Sequence, residues 1–96
     1  MQSNKLKELR NYSDPEYVMN KAKIMGLNPV HESSRKDKKY MVFDGRTMVH
    51  FGQNKYYDWT FDHDEKRRDR FKKRNWKWQN SPKYSPAWLS WFLLWT

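Results

Sequence analysis

The sequence predicts a small α+β fold in which a β-hairpin and a third strand form an antiparallel sheet. An N-terminal helix, a basic helix and a short apolar C-terminal helix surround it. Three observations predict this. Asp44-Gly45 lies between two β-rich runs, Tyr40 to Phe43 and Arg46 to Phe51, and an Asp-Gly pair in that setting is a strong hairpin signal. Asp14-Pro15-Glu16 supplies an N-cap, a first-turn proline and an acid at the positive end of a helix dipole. From Asp64 to Lys77, eight basic residues face three acidic ones, with the acids leading, as a solvated helix arranges its charge.

Residues 1–13 are polar and mixed in charge, with Leu6 and Leu9 as the only aliphatics. They read as a loose arm, with a short amphipathic turn as the alternative, before a single small domain over 14–96. In the first helix Val18, Ala22 and Met25 fall at i, i+4 and i+7, and Gly26 is a natural stop. Asn28 to Lys39, with Pro29 and the cluster Arg35, Lys36, Lys38 and Lys39, is a loop with room for a short strand at Val30-His31.

A two-residue turn at Asp44-Gly45 would pair Phe43 with Arg46 and Val42 with Thr47. Tyr40, Val42, Thr47, Val49 and Phe51 then form the core face, with Lys39, Met41, Phe43, Arg46, Met48 and His50 on the other. Tyr57, Trp59 and Phe61 alternate at strand spacing and predict the third strand, which an isolated hairpin needs. Asp62 and Glu65 stand at capping-box spacing at the start of the basic helix. Asp64 with Arg68 and Asp69 with Lys73 are its expected ion pairs. Ser85-Pro86 opens the last helix, apolar on every side but Ser90.

The composition narrows function. Hydrophobic residues make up 36% of the 96 residues, aromatics 18%, and six are Trp, a residue favoured where one large side chain anchors a contact. A net charge of +9 favours anionic partners. There is no cysteine, so no disulfide framework or thiolate metal site is expected. No apolar leader opens the chain and no run approaches a bilayer span, so neither secretion nor membrane insertion is expected.

His31, His50 and His63 are isolated, and neither a nucleophile elbow nor a phosphate loop is present. Asp62-His63-Asp64 could orient an imidazole, but its place at a helix start accounts for it as a cap. No catalytic residue, metal ligand or cofactor is assigned. Arg67, Arg68, Arg70, Lys72, Lys73, Arg74 and Lys77, interleaved with Trp76 and Trp78, form a candidate surface for nucleic acid or an acidic protein partner. The plain alternative is a solvated helix whose rings pack on the sheet. Trp88, Leu89, Trp91, Phe92, Leu93, Leu94 and Trp95 form a candidate protein interface, since one small sheet cannot cover them all.

The blocks Arg35-Lys36-Asp37-Lys38-Lys39-Tyr40-Met41, Val49-His50-Phe51-Gly52, Tyr57-Asp58 with Thr60, His63-Asp64 with Arg67, Arg68 and Arg70, and Tyr84-Ser85-Pro86 with Leu89-Ser90 and Leu93-Leu94-Trp95 carry a resemblance. Over about 14–95 the chain resembles a family of small basic proteins of nucleocytoplasmic large DNA viruses. Trp59 stands where Phe or Tyr is expected, and the hairpin loop is shortened. The resemblance implies a viral setting without an activity. The expectation is a non-enzymatic virion protein, a minor capsid or cementing component contacting other capsid proteins or further copies of itself, present in the virion and in the host cytoplasm or virus factory. The alternative is a viral protein that binds DNA or RNA.

Overall fold

Tyr40, Val42 and Phe51 alternate along two strands and are all fully buried. Their sheet organises the computed structural model, which describes residues 3–96. Strands β1 (Val30–Glu32), β2 (Lys38–Phe43) and β3 (Met48–Gln53) form an antiparallel sheet in that order. Val30, Val42 and Val49 align in one row, and Glu32, Tyr40 and Phe51 in the next. With its small sheet and flanking helices the fold is α+β, as expected.

The hairpin register differs from expectation by two residues: Phe43 opposes Met48, not Arg46. Gly45 and Arg46 form the tip, and Asp44 precedes it. The Asp44 amide donates to the Thr47 carbonyl at 3.0 Å, and its carboxylate accepts from the amides of Arg46 and Thr47 at 2.7 and 2.9 Å. Those amides hold the Asp44 carboxyl below the usual range. A short acceptor closes the turn better from outside the tip. Since a slip of two preserves side-chain parity, the expected core face survives, apart from Thr47, which lies exposed in the turn.

The third strand is β1, at the site of the short strand expected near Val30-His31. Tyr56 to Phe61, expected to be strand, is loop followed by the single helical turn α3 (Trp59–Asp62). Asp58 accepts from the Thr60 amide at 3.0 Å, and that capping bond overrides the alternation of Tyr57, Trp59 and Phe61.

Of the expected loose arm, residues 1–2 lie outside the described residues and the rest contains a helix: α1 (Asn4–Leu9) is capped by Ser3 and buries Leu9 completely. The Lys5 amine donates to the carbonyls of Arg35 and Lys38 and ties α1 to the loop before β2. Helix α2 (Pro15–Ile24) follows expectation, with Asp14 as cap and Val18 and Ala22 buried. Gly26, at φ +75°, ends it while the Leu27 amide reaches back to the Ala22 carbonyl.

Helix α4 (Glu65–Arg74) is capped by Asp64 rather than Asp62, which closes α3. His63 links the two helices in the left-handed region at φ 54°. A 3-10 segment (Trp76–Asn80) follows, then α5 (Pro86–Leu89), which continues as a π-helical turn (Ser90–Leu94).

The C-terminal helix is not a free interface. Leu89, Leu93 and Leu94 are at most 1% exposed, and Trp91 and Trp95 are 7% and 9%. Of the seven residues of the expected interface, Trp88 and Phe92 remain half-buried. The Phe71 ring stacks on Trp95 at 4.1 Å with 4° between planes, so α4 covers what the sheet cannot. Among the described residues no helix is long and apolar enough to cross a membrane.

Candidate functional site: a basic cleft lined with rings

Four α4-side residues, Arg67, Phe71, Arg74 and Trp78, follow one another at helical spacing and share one face. They form a wall of a cleft of about 680 Å³ between α4, β3 and α5. The opposite side carries Lys38, Phe51, Tyr56 and Tyr57, and the end of the chain adds Ser90, Leu94 and Trp95. Exposure grades from the rim inward: Tyr56 is 66% exposed and Tyr57 48%, whereas Phe51, Leu94 and Ser90 are buried. Gly52 makes the close packing here possible, since a Cβ would lie 3.0 Å from Leu94 Cδ1 and 3.2 Å from Lys39 Cβ.

The floor is a buried ion pair. Lys39, expected on the face away from the core, is 2% exposed and donates to Asp58 Oδ2 at 2.9 Å. Asp58 Oδ1 accepts from the Thr60 hydroxyl at 2.5 Å. Thr60 Oγ1 lies 3.1 Å from Ser13 Oγ, which accepts from the Tyr40 hydroxyl at 2.7 Å. Desolvation lowers the Lys39 pKa against the opposing pull of Asp58, and it pushes the Tyr40 phenol far up. A satisfied chain of this kind fixes geometry, because any member left alone would be costly.

The expected basic residues divide into different roles. Arg67 pairs with Asp62 at 2.9 Å and Asp64 at 3.5 Å and lies over the Tyr57 ring. Arg68 pairs with Glu65 and lies over Trp59. All three pairs are spaced differently from the expected Asp64–Arg68 and Asp69–Lys73. Arg74 and Trp78 belong to the cleft; Lys72, Lys73 and Trp76 line a second, shallower groove with Asp69 and Trp91. Lys72 lies over the Trp91 ring, and Lys77 over Trp76.

Among the described residues, no carboxylate pairs with Lys66, Arg70, Lys72, Lys73, Arg74 or Lys77. The positive field of the helix reaches Lys21, whose pKa is lowered by burial and then by Lys72 and Arg68. Two rings stand ready beside these cations: Tyr56 at the cleft rim and Trp76, 54% exposed, in the second groove.

Sequence reasoning missed Lys38, Lys39, Tyr56, Tyr57 and Asp58 as lining residues. Asp58 spaced two before Thr60 was the available signal, because an Asp at that spacing caps a turn and stops a strand. His63 stacks on Trp59 at 4.1 Å. Trp59 Nε1 is buried without a hydrogen-bond partner among the described residues, as befits a site where the resemblance leads one to expect Phe or Tyr.

Residues 29–75 match DUF5754, a family of unknown function. The matched stretch runs from β1 through α4 and contains the Lys39–Asp58 floor and Arg67, Phe71 and Arg74. No curated protein and no solved structure matches the chain.

Proposed function

We propose that this protein binds single-stranded nucleic acid without catalysis, using α4 and the cleft beside it. The observation that carries this reading is the set of unpaired cations on α4 lying next to the exposed rings of Tyr56 and Trp76. Cations hold the phosphates of a strand, and rings stack on bases whatever their identity. In the viral setting that the resemblance implies, the ligand would be genome or transcript, in the virus factory or the packaged particle. The virion-component reading keeps one support, the exposed apolar pair Phe43 and Met48 across the hairpin, a surface for a capsid protein.

Anisotropy of a fluorescein-labelled single-stranded oligonucleotide, titrated at several salt concentrations, separates the two. With four phosphates engaged, log K should fall against log salt with a slope of about −3. Arg70→Ala, Lys73→Ala and Arg74→Ala together should cut the slope to about −1 and leave the fold intact, since none is buried. No binding at low salt, or binding untouched by the triple change, refutes the reading.

A further inference from the structure

We propose that the cleft admits one unstacked base, so that the strand is held by a flipped nucleotide and not by its backbone alone. This rests on the nucleic-acid reading and adds to it where the base goes. A volume of about 680 Å³ lies within the range of small-ligand sites, ample for a base with its sugar. The lining suits a base, with ring surface from exposed Tyr56 and half-buried Phe71 and Trp78 for its faces. Polar groups wait at its edge.

Ser90 is 8% exposed, lines the cleft, and its hydroxyl makes no hydrogen bond among the described residues. Gln53 adds a free amide nearer the rim. A hydroxyl with no protein partner, set in the apolar wall of a cleft, is a place for a donor or acceptor on a ligand. Charge complementarity fixes which ligand. Lys39 and Asp58 neutralise each other on the floor, and Arg67 is paired with Asp62 and Asp64, which leaves Lys38 and Arg74 in excess for the phosphates. A base inside a duplex cannot enter, so the cleft selects for single strands.

The probes are three oligomers of equal charge: a single strand with bases, a fully abasic phosphodiester chain of the same length, and a duplex of half that length. The base-bearing strand should bind about tenfold more tightly than the abasic chain, the effect of one stacked base. Tyr56→Ala should erase most of that difference, and at 66% exposure the change spares the fold. Trp76→Ala should not. Equal affinity for strand and abasic chain overturns the base-binding cleft while leaving nucleic-acid binding intact, and so does duplex binding as tight as single-strand binding. If Trp76→Ala erases the difference and Tyr56→Ala does not, the base stacks in the second groove and the cleft proposal falls. Binding of none of the three defeats both readings.

Discussion

Helices α2 and α4 have the same length and the same kind of beginning, ten residues behind an aspartate cap, yet they are held in unlike ways. Helix α2 buries Pro15, Val18 and Ala22 in the core, whereas α4 buries no residue at all. Helix α4 is held at its edges: Phe71 stacks on Trp95, Arg67 and Arg68 lie over Tyr57 and Trp59, and Lys72 lies over Trp91. A helix fixed by rings and cations leaves the rest of its charge facing outward. The difference divides the molecule into a stabilising half and a half that we propose is the binding half.

Lys39 joins the halves, because its partner Asp58 opens α3 beside the cleft while Thr60 and Ser13 carry the hydrogen bonds on toward α2. Lys39→Met should therefore have the largest effect, leaving Asp58 buried and unpaired at a cost of about 3–5 kcal/mol in denaturant unfolding. Desolvation of the lysine also sets a pH dependence. A folded-state pKa below that of the unfolded chain penalises the charged amine at neutral pH, and the penalty lifts as pH rises through the folded value. Wild type should thus gain stability on that account in mild alkali, and Lys39→Met should lack the gain. A variant as stable as wild type would show that the halves are joined elsewhere.

A contrast of moderate size comes next. Val18→Ala should cost about 2 kcal/mol of global stability, two methyl groups from a fully buried site. Phe71→Ala should instead raise amide exchange across α4 while the amides of α2 and β2 keep their protection, as expected of a low-stability unit. Uniform loss of protection in both variants would mean that α4 opens only with the whole molecule.

The same contrast explains what the sequence revealed. Helix α2 was legible because cap, proline, apolar stripe and terminal glycine all agree, and the sheet face was legible because parity survives a register slip of two. The cleft was hidden because it depends on long-range partners. Lys39 is a strand residue whose neutralising Asp58 lies nineteen positions on, and nothing local distinguishes it from solvated Lys38. The C-terminal helix misled for a related reason: its Trp residues are covered by α4, whose own composition shows only one ring, Phe71, to do the covering.

The smallest predicted effect compares the two caps themselves. Asp14 accepts from the Tyr17 amide at 3.1 Å and Asp64 from the Arg67 amide at 3.0 Å, so the local bonds are alike. Asp14→Ala should lower global stability by about 1 kcal/mol, because α2 is part of the core. Asp64→Ala should lower helical signal in far-UV circular dichroism and leave the global midpoint in place. The Arg67 amide, and then its guanidinium, hold the Asp64 carboxyl below the usual carboxylate range. A depressed carboxyl stabilises the folded form above its unfolded pKa and loses that contribution as pH falls through the folded value. Below about pH 4, α4 of the wild type should therefore fray ahead of the core, and Asp64→Ala should remove this acid step. If Asp64→Ala instead moves the global midpoint as far as Asp14→Ala does, the two helices belong to one cooperative unit, and the division into a stabilising and a binding half is lost.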